Sequence, residues 1–199
     1  GSPYTIYIPI PKSPHGVNVD PTGRYAVCAG KLSPTVSLVD IKKLKDAFNG
    51  RIKPRKCVVA EPEVGIGPLH TAFDDRGNAY TSIFIDSVVT KWNIAKAVAG
   101  KNPIIQKLDI HYQVGHINAS MSETKNADGK WVISLNKFSK DRFLPVGPFR
   151  NENEQLIDIS GRKMKLVHDT ATHPEPHDAL IVNRNLIRPK KVWSMNDER

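Results

Sequence analysis

The stretch GPLHTAFDDRGNAYTSIFIDS (67–87) is typical of two short apolar strands joined by a turn at Asp74-Asp-Arg-Gly77. An Asp at the start of such a turn hydrogen-bonds its own backbone, and the Gly accepts the positive φ that a tight hairpin requires. The same order of His, strand, Asp or Asn turn with Gly, and aromatic strand follows His15 and His116. His177 opens a fourth copy that lacks the glycine. The chain is therefore composed of degenerate repeats that begin at histidines.

The spacing of these repeats predicts a β-propeller. Successive histidines are 55, 46 and 61 residues apart, which suits a four-stranded blade with loop insertions. We expect an all-β fold with three to four propeller blades, and a β-sandwich is the structural alternative. Three β-rich runs follow the hairpins, at 35–41, 87–94 and 155–159. The connectors at 42–50 and 94–101 are predicted to hold one or two helical turns.

Composition narrows the function classes. With 39% hydrophobic and 25% charged residues the chain is an ordinary globular sequence, and no apolar run approaches the roughly 20 residues of a membrane span. The net charge is +9, but the basic residues are dispersed and not interleaved with aromatic ones, so no nucleic-acid partner is expected. A closed propeller has about 4–8 blades. Residues 1–199 are therefore predicted to be part of a larger propeller domain.

The repeated histidines favour a metal site. Equivalent positions on the innermost strands of a propeller surround its central channel, so four imidazoles there are expected to converge on one point. Neutral imidazoles without thiolates or carboxylates nearby suit copper, zinc, iron or nickel. The alternative is that each His caps a strand or satisfies a buried backbone group. The other histidines follow no repeat and are expected at the surface or in structural roles: His111, His168 and His173.

Five segments carry a family resemblance: PKSPHG (11–16), AGKLSPT (29–35), the stretch 67–87, DGKWVISLNKFSKDRFLPVGP (128–148) and EPHDA (175–179). They closely resemble the nitrous oxide reductase family, and the similarity runs through nearly the whole chain. The resemblance implies a periplasmic copper enzyme of denitrification that reduces N2O to N2 and water. It also implies a seven-bladed propeller that carries a four-copper, sulfide-bridged cluster held by seven histidines.

The resemblance further implies a cupredoxin domain with a two-copper electron-entry centre, a homodimer, and an electron donor such as a c-type cytochrome or a cupredoxin. The N-terminal blades and the cupredoxin domain are expected to lie outside this chain. The chain by itself is therefore expected to be inactive towards N2O.

Individual residues are assigned by the same motifs. His15, His70, His116 and His177 match cluster ligands. Two further assignments rest on the resemblance, with Lys137 at the substrate edge of the cluster and Glu175 orienting ligands and relaying protons.

A structural calcium ion is also implied, bound by the backbone carbonyl of Lys137 and by Glu152. Oxygen ligands of this kind are ordinary for calcium. A second calcium site of the family uses an Asn where this chain has Ser13. That second site is therefore not expected in its usual form.

Two alternatives from other function classes remain at the level of sequence. One is a propeller scaffold that binds a protein partner and uses the histidines structurally. The other is a propeller metal-dependent hydrolase such as a lactonase, which would surround one divalent ion with carboxylate and Asn ligands. The repeat positions here offer histidines instead.

Overall fold

Strands dominate a computed structural model of the chain, which describes residues 4–137, 152–173 and 175–187. In these residues the strands form three four-stranded antiparallel sheets, and each sheet uses consecutive strands in order. Such a meander is the blade of a propeller. The predicted all-β fold built from propeller blades is confirmed.

The first sheet contains β1 (Pro14–Val19), β2 (Tyr25–Gly30), β3 (Val36–Asp40) and β4 (Val58–Ala60). The second contains β5 (Pro68–Phe73), β6 (Asn78–Ile83), β7 (Val88–Asn93) and β8 (Ile104–Asp109). The third contains β9 (Val114–Ala119), β10 (Trp131–Asn136), β11 (Asn153–Asp158) and β12 (Lys165–Ala171). Short helices connect strands, namely α1 (Leu44–Phe48), α2 (Ile94–Val98) and two 3-10 turns, Ile41–Lys43 and Pro54–Cys57.

The hairpin turns form as the sequence predicts. In the second sheet the Asp74 carboxylate accepts hydrogen bonds from the backbone N–H groups of Arg76 and Asn78, at 2.8 and 2.9 Å. Gly77 then adopts a φ of +75°, which a side chain would make costly. The predicted third strands and the helical turns in both connectors are also confirmed, as β3, β7, β11, α1 and α2.

Hydrophobic side chains hold the sheets together in sequence order. One buried cluster joins the first and second sheets through residues such as Leu38, Phe73 and Trp92. A second joins the second and third sheets through residues such as Tyr80 and Ile157. The first strands β1, β5 and β9 contact one another in turn. They are therefore the inner strands of three neighbouring blades.

The fourth repeat copy differs from the prediction. The run that begins at His177 forms no strand within the described residues. It lies instead against the β9–β10 connection, where the Met121 N–H donates to the Ile181 carbonyl at 3.1 Å. A strand requires a paired neighbour, and this run has one such backbone bond rather than a ladder. Three blades, not four, are therefore formed in the described residues.

Several smaller predictions can be compared with the structure. Cys28 and Cys57 are buried free thiols, and the three histidines outside the repeats, His111, His168 and His173, are exposed. No helix in the described part of the chain is long and apolar enough to cross a membrane.

Candidate metal centre

Three of the repeat histidines lie near the start of the inner strands. His15 is the second residue of β1, whereas His70 and His116 are each the third residue of β5 and β9. Because these strands are neighbours, their imidazole rings are brought together. The ring centroids of His15 and His70 are 4.9 Å apart, and those of His70 and His116 are 3.9 Å apart. The ring of His177 completes the group at 4.4 Å from His116.

The four rings form a row rather than a single convergent point. His70 and His116 are stacked, with ring centroids 3.9 Å apart and an angle of 25° between their planes. In the parts of the chain that the structure describes, no three His, Cys, Asp or Glu side chains are arranged to hold one metal ion. The expectation that four imidazoles converge on one point is therefore wrong in this detail. A row of rings can instead supply separate ligands to several neighbouring ions.

A residue with a positive backbone φ, in the left-handed region, precedes each of the three inner strands and the run at His177. The positive φ values are 59° at Ser13, 89° at Gly67, 52° at Gln113 and 57° at Glu175. Each of the first three directly precedes an inner strand, and the fourth lies two residues before His177. The repeat pattern did not predict this shared conformation. The one sequence feature that recurs beside this conformation is a proline, which follows three of the four residues: Pro14, Pro68 and Pro176.

Two glycines beside the histidines allow close approach of neighbouring groups. A Cβ added to Gly16 would overlap the Leu69 carbonyl and crowd the His70 ring, and one added to Gly115 would overlap the Lys137 side chain. Glycine is the residue that leaves such space. The repeat motif alone did not reveal this role.

Ser82 joins the second and third blades at the level of the rings. Its hydroxyl accepts a hydrogen bond from the His70 N–H at 3.1 Å and donates to the Gly115 carbonyl at 2.7 Å. It therefore links the backbone at His70 to the residue that precedes His116. Sequence reasoning did not find Ser82, because nothing in its flanks separates it from an ordinary strand serine.

The surroundings favour the neutral imidazole at His15, His70 and His116. Burial, followed by the neighbouring His116 and His15, lowers the pKa of His70 to about 3. Burial is also the main reason for the lowered pKa values of His15 and His116, and the Lys137 ammonium lowers both further. A neutral imidazole keeps a lone pair for a metal ion. The electrostatics of the row thus favour the ligand form of histidine.

Two ring nitrogens in the row are buried without a hydrogen-bond partner. They are Nε2 of His70 and Nδ1 of His116. A buried polar atom without a partner costs about 1–3 kcal/mol, so such atoms in a folded protein need an explanation. A metal ion is one group that would satisfy them. The donor set, neutral imidazoles with open nitrogens, therefore fits copper.

The amino-acid sequence of the chain is similar to those of known enzymes. The chain is 57% identical to nitrous-oxide reductase of Stutzerimonas stutzeri over 202 aligned residues, which cover 98% of this chain and 32% of that protein. Nearly the whole chain is thus similar to one segment of a nitrous-oxide reductase. The Pseudomonas fluorescens member is 56% identical with the same coverage. A sequence model of the nitrous oxide reductase propeller repeat also matches residues 107–177.

The chain spans about a third of the length of the nitrous-oxide reductases that it matches. Among solved structures, it is similar to a candidate 6-phosphogluconolactonase of Bacteroides fragilis, with a TM-score of 0.60 and 18% identity. That match covers 83% of this chain and 43% of the other. At this identity the likeness concerns the fold alone.

Lys137, which the nitrous-oxide reductase resemblance assigns to the substrate edge, lies beside the row. It is half-buried just after β10, and its Nζ is 3.4 Å from Nδ1 of His177. Its position therefore differs from that of an isolated exposed lysine, which the strand pattern by itself would favour. The ammonium is the cation nearest to the open end of the row at His177.

The other two residues assigned by resemblance are less closely connected to the rings. Within the described residues no hydrogen bond joins Glu175 to a histidine, and its side chain is exposed. Asn136 pairs with Asn153 as the last step of the β10–β11 ladder. The backbone after Asn136 and before Asn153 therefore places Lys137 and Glu152 at the same end of this ladder. The role of both residues in calcium binding stays a prediction.

Proposed function

We propose that this chain supplies four imidazole ligands, from His15, His70, His116 and His177, to the copper centre of an enzyme that reduces N2O. One observation carries the proposal, namely the row of four rings with centroids 4.9, 3.9 and 4.4 Å apart. Identity of 52–57% to nitrous-oxide reductases supports it. We further propose that the centre is the four-copper, sulfide-bridged cluster of the family.

The geometry of the row suits several ions better than one. In the described residues no three of the candidate ligand side chains are arranged around one ion, so different rings would bind different ions of a cluster. His70 and His116 each keep a buried nitrogen without a partner. Three rigid strands and the run at His177 hold the rings, which reduces the reorganisation needed when metal enters. The remaining ligands of the cluster are proposed to come from blades outside this chain.

The proposed reaction suggests a role for Lys137. Reduction of N2O consumes two electrons and two protons, the N–O bond breaks, N2 leaves and the oxygen becomes water. Copper ions, when bound, supply the electrons and the surface on which N2O binds. The Lys137 ammonium lies 3.4 Å from the His177 ring, where it would stabilise negative charge as it grows on the oxygen and donate a hydrogen bond to it. Glu175 is proposed to orient ligands and to relay protons.

Further features of the family are proposed for the whole protein. These are a calcium ion bound by the Lys137 carbonyl and Glu152, a periplasmic location, a homodimer and a role in denitrification. Electrons would enter from a c-type cytochrome or a cupredoxin by way of a separate two-copper domain. The pairing of Asn136 with Asn153 supports the calcium proposal, because it brings the two calcium-binding residues to one end of a ladder.

Anaerobic titration of the chain with copper tests the ligand set. Copper bound per chain is measured by metal analysis and visible absorption for the wild type and for His70→Ala, His116→Ala, His15→Ala and His177→Ala. Each substitution is expected to lower the copper bound. His111→Ala is the matched control because His111 is exposed and outside the row.

Copper binding that persists when both His70 and His116 are replaced would contradict the proposal. So would equal losses in the His111→Ala control. A propeller hydrolase is a different outcome, in which a single divalent ion binds through carboxylates rather than imidazoles. That outcome would appear as metal binding that survives every histidine substitution.

A further inference from the structure

A cationic pocket lies beyond the end of β5 that is far from His70. It is a half-open recess with a volume of about 670 Å³, and it lies between the second sheet and the turn that joins β11 to β12. Five basic side chains line it, and no carboxylate does: Arg76, Lys91, Lys96, Arg162 and Lys163. Neither the repeat histidines nor Lys137 contributes to this pocket.

The turn at 159–164 is fastened to the second sheet through its carbonyl groups. Arg76 donates to the carbonyls of Ile159 and Ser160 at 2.6 and 2.8 Å. Lys91 donates to those of Gly161 and Arg162 at 3.4 and 3.1 Å. Four consecutive carbonyl groups of the turn are thus already occupied by cations of the neighbouring blade.

Gln106 fixes the end of the same turn. Its side-chain amide donates to the Met164 carbonyl at 3.2 Å, and its oxygen accepts from the Met164 N–H at 2.6 Å. Because Gln106 bonds both the N–H and the carbonyl group of Met164, this end of the turn is held rigidly. The pocket is therefore preorganised on this side.

The hydrogen-bond donors of the turn remain available. The backbone N–H groups of Gly161, Arg162 and Lys163 have no acceptor among the residues that the structure describes. Their side-chain charges are also unpaired, since neither Arg162 nor Lys163 forms an ion pair with a described residue. Because the carbonyls of residues 159–162 are occupied while these N–H groups are open, the turn offers mainly hydrogen-bond donors.

The charge of the pocket is unbalanced. Arg76 is neutralised by the buried Asp74 carboxylate, 3.2 Å away. Lys91 is 2% exposed, and burial lowers its pKa because the ammonium has lost most of its hydration. Lys91 and Lys96 form no ion pair within the described ranges. An anion in the pocket would relieve this excess of positive charge.

From these contacts we propose that the pocket binds a multiply charged, phosphate-bearing anion. Phosphate oxygens accept several hydrogen bonds at once, and clustered Arg, Lys and backbone N–H groups are the usual donors to them. The volume exceeds that of one phosphate, which favours an oligophosphate or a phosphate ester. The site is independent of copper and of the proposed N2O reduction. Its success or failure therefore leaves that function untouched.

Isothermal titration of the 199-residue chain with sodium tripolyphosphate tests the site. Saturable binding with one ion per chain is expected, weakening as ionic strength rises. Arg162→Ser combined with Lys163→Ser is expected to weaken binding at least about tenfold, since the variant loses two cationic hydrogen-bond donors to the anion. Lys42→Ser combined with Lys45→Ser removes the same charge from an exposed helical connector. That control is expected to change the dissociation constant less than about twofold.

Three outcomes separate the alternatives. An equal loss in the two double variants, or no saturable binding, would overturn the proposal, because the attraction would then follow net charge alone. If the Arg162 and Lys163 variant changes its circular dichroism, Lys96→Ser replaces it, since the Lys96 side chain is not bonded to the turn.

Vesicles of phosphatidylglycerol, with phosphatidylcholine as control, identify the source of the phosphate. Vesicle binding that tripolyphosphate displaces indicates a lipid headgroup, and tripolyphosphate binding alone indicates a soluble anion.

Discussion

The two ends of β5 differ in whether a buried polar side chain has hydrogen-bond partners. At one end the Asp74 carboxylate, immediately after the strand, accepts hydrogen bonds from the Arg76 and Asn78 backbones, from the Asn78 amide and from the Tyr80 hydroxyl. Four residues earlier, His70 keeps a buried Nε2 without any partner. Both groups are removed from water, but only the first is fully satisfied.

This contrast separates structural polar groups from ligands. Burial raises the pKa of Asp74, yet hydrogen bonds from Asn78, Arg76 and Tyr80 outweigh it and the pKa is lowered overall. No such compensation exists at His70, where burial first, and then the neighbouring His116 and His15, lower the pKa to about 3. A satisfied carboxylate stabilises the hairpin. An unsatisfied imidazole is left free to bind something that the chain itself does not contain.

The largest effect is expected when Asp74 is removed. Asp74→Ala leaves the donors of Arg76, Asn78 and Tyr80 unpaired in the interior, and it should lower the free energy of unfolding by about 3–5 kcal/mol. His70→Ala removes a ring whose Nε2 has no hydrogen-bond partner, so it should cost only about 1 kcal/mol in the metal-free chain. Urea unfolding of both variants measures the difference.

Asp74→Asn is the matched control for this prediction. The amide keeps the shape of the side chain and part of its acceptor capacity, so its loss should fall between those of the other two variants. Equal destabilisation by Asp74→Ala and His70→Ala would show that His70 is as structural as the carboxylate. The contrast between the two ends of β5 would then be lost.

A smaller effect is expected at Gly115. Gly115→Ala places a methyl group into the Lys137 side chain, and overpacking of this kind costs about 1–3 kcal/mol. The ammonium should also move away from His177, which lies 3.4 Å from it in the wild type. Urea unfolding measures the first change, and the histidine resonances in NMR report the second. Gly23→Ala tests turn strain alone, since a Cβ there meets nothing within 4 Å.

The smallest effect on the free energy of unfolding is expected when the pH is lowered. The unfolded-state pKa of His70 is near 6.5 and its folded value is about 3, so the unfolded chain binds more protons between these values and stability falls as pH falls. Because the ring is only partly buried, the loss should be roughly 1–2 kcal/mol. The lowered pKa of Asp74 acts in the same direction, but only below its ordinary value of 3.8.

Unfolding between pH 6.5 and pH 4 therefore isolates the histidine contribution. His70→Phe, which cannot be protonated, should flatten this part of the stability profile and leave the steeper loss below pH 4 in place. Identical profiles for the variant and the wild type would mean that His70 stays hydrated in the folded chain.

Much of this molecule follows from local sequence. The turns at Asp20 and Asp74 form because their side chains bond the following backbone, and such chemistry acts within five residues. The strands pair with their sequence neighbours, so the repeat pattern was sufficient to predict propeller blades, in a number of three to four. Placing His15, His70 and His116 on inner strands required only the equivalence of the repeats.

Other features depend on contacts that no local pattern encodes. The stacking of His70 on His116 is set by the docking of two sheets, and it replaces the single convergent point that repeat equivalence predicted. The roles of Ser82 and Gly115 likewise arise between blades. The run after His177 resembles a repeat in sequence, but it finds one backbone partner instead of a neighbouring strand.

The consecutive order of the strands also bears on how the histidine row comes into being during folding. Each sheet pairs strands that are close in sequence, so a sheet can form early by closing short loops. The ring contacts span 46–61 residues; two of them join neighbouring sheets and the third joins the third sheet to the run at His177, so they appear only after these parts have docked. The row is thus a late event on the folding path, and any ion that needs it would meet a chain whose separate sheets were already complete.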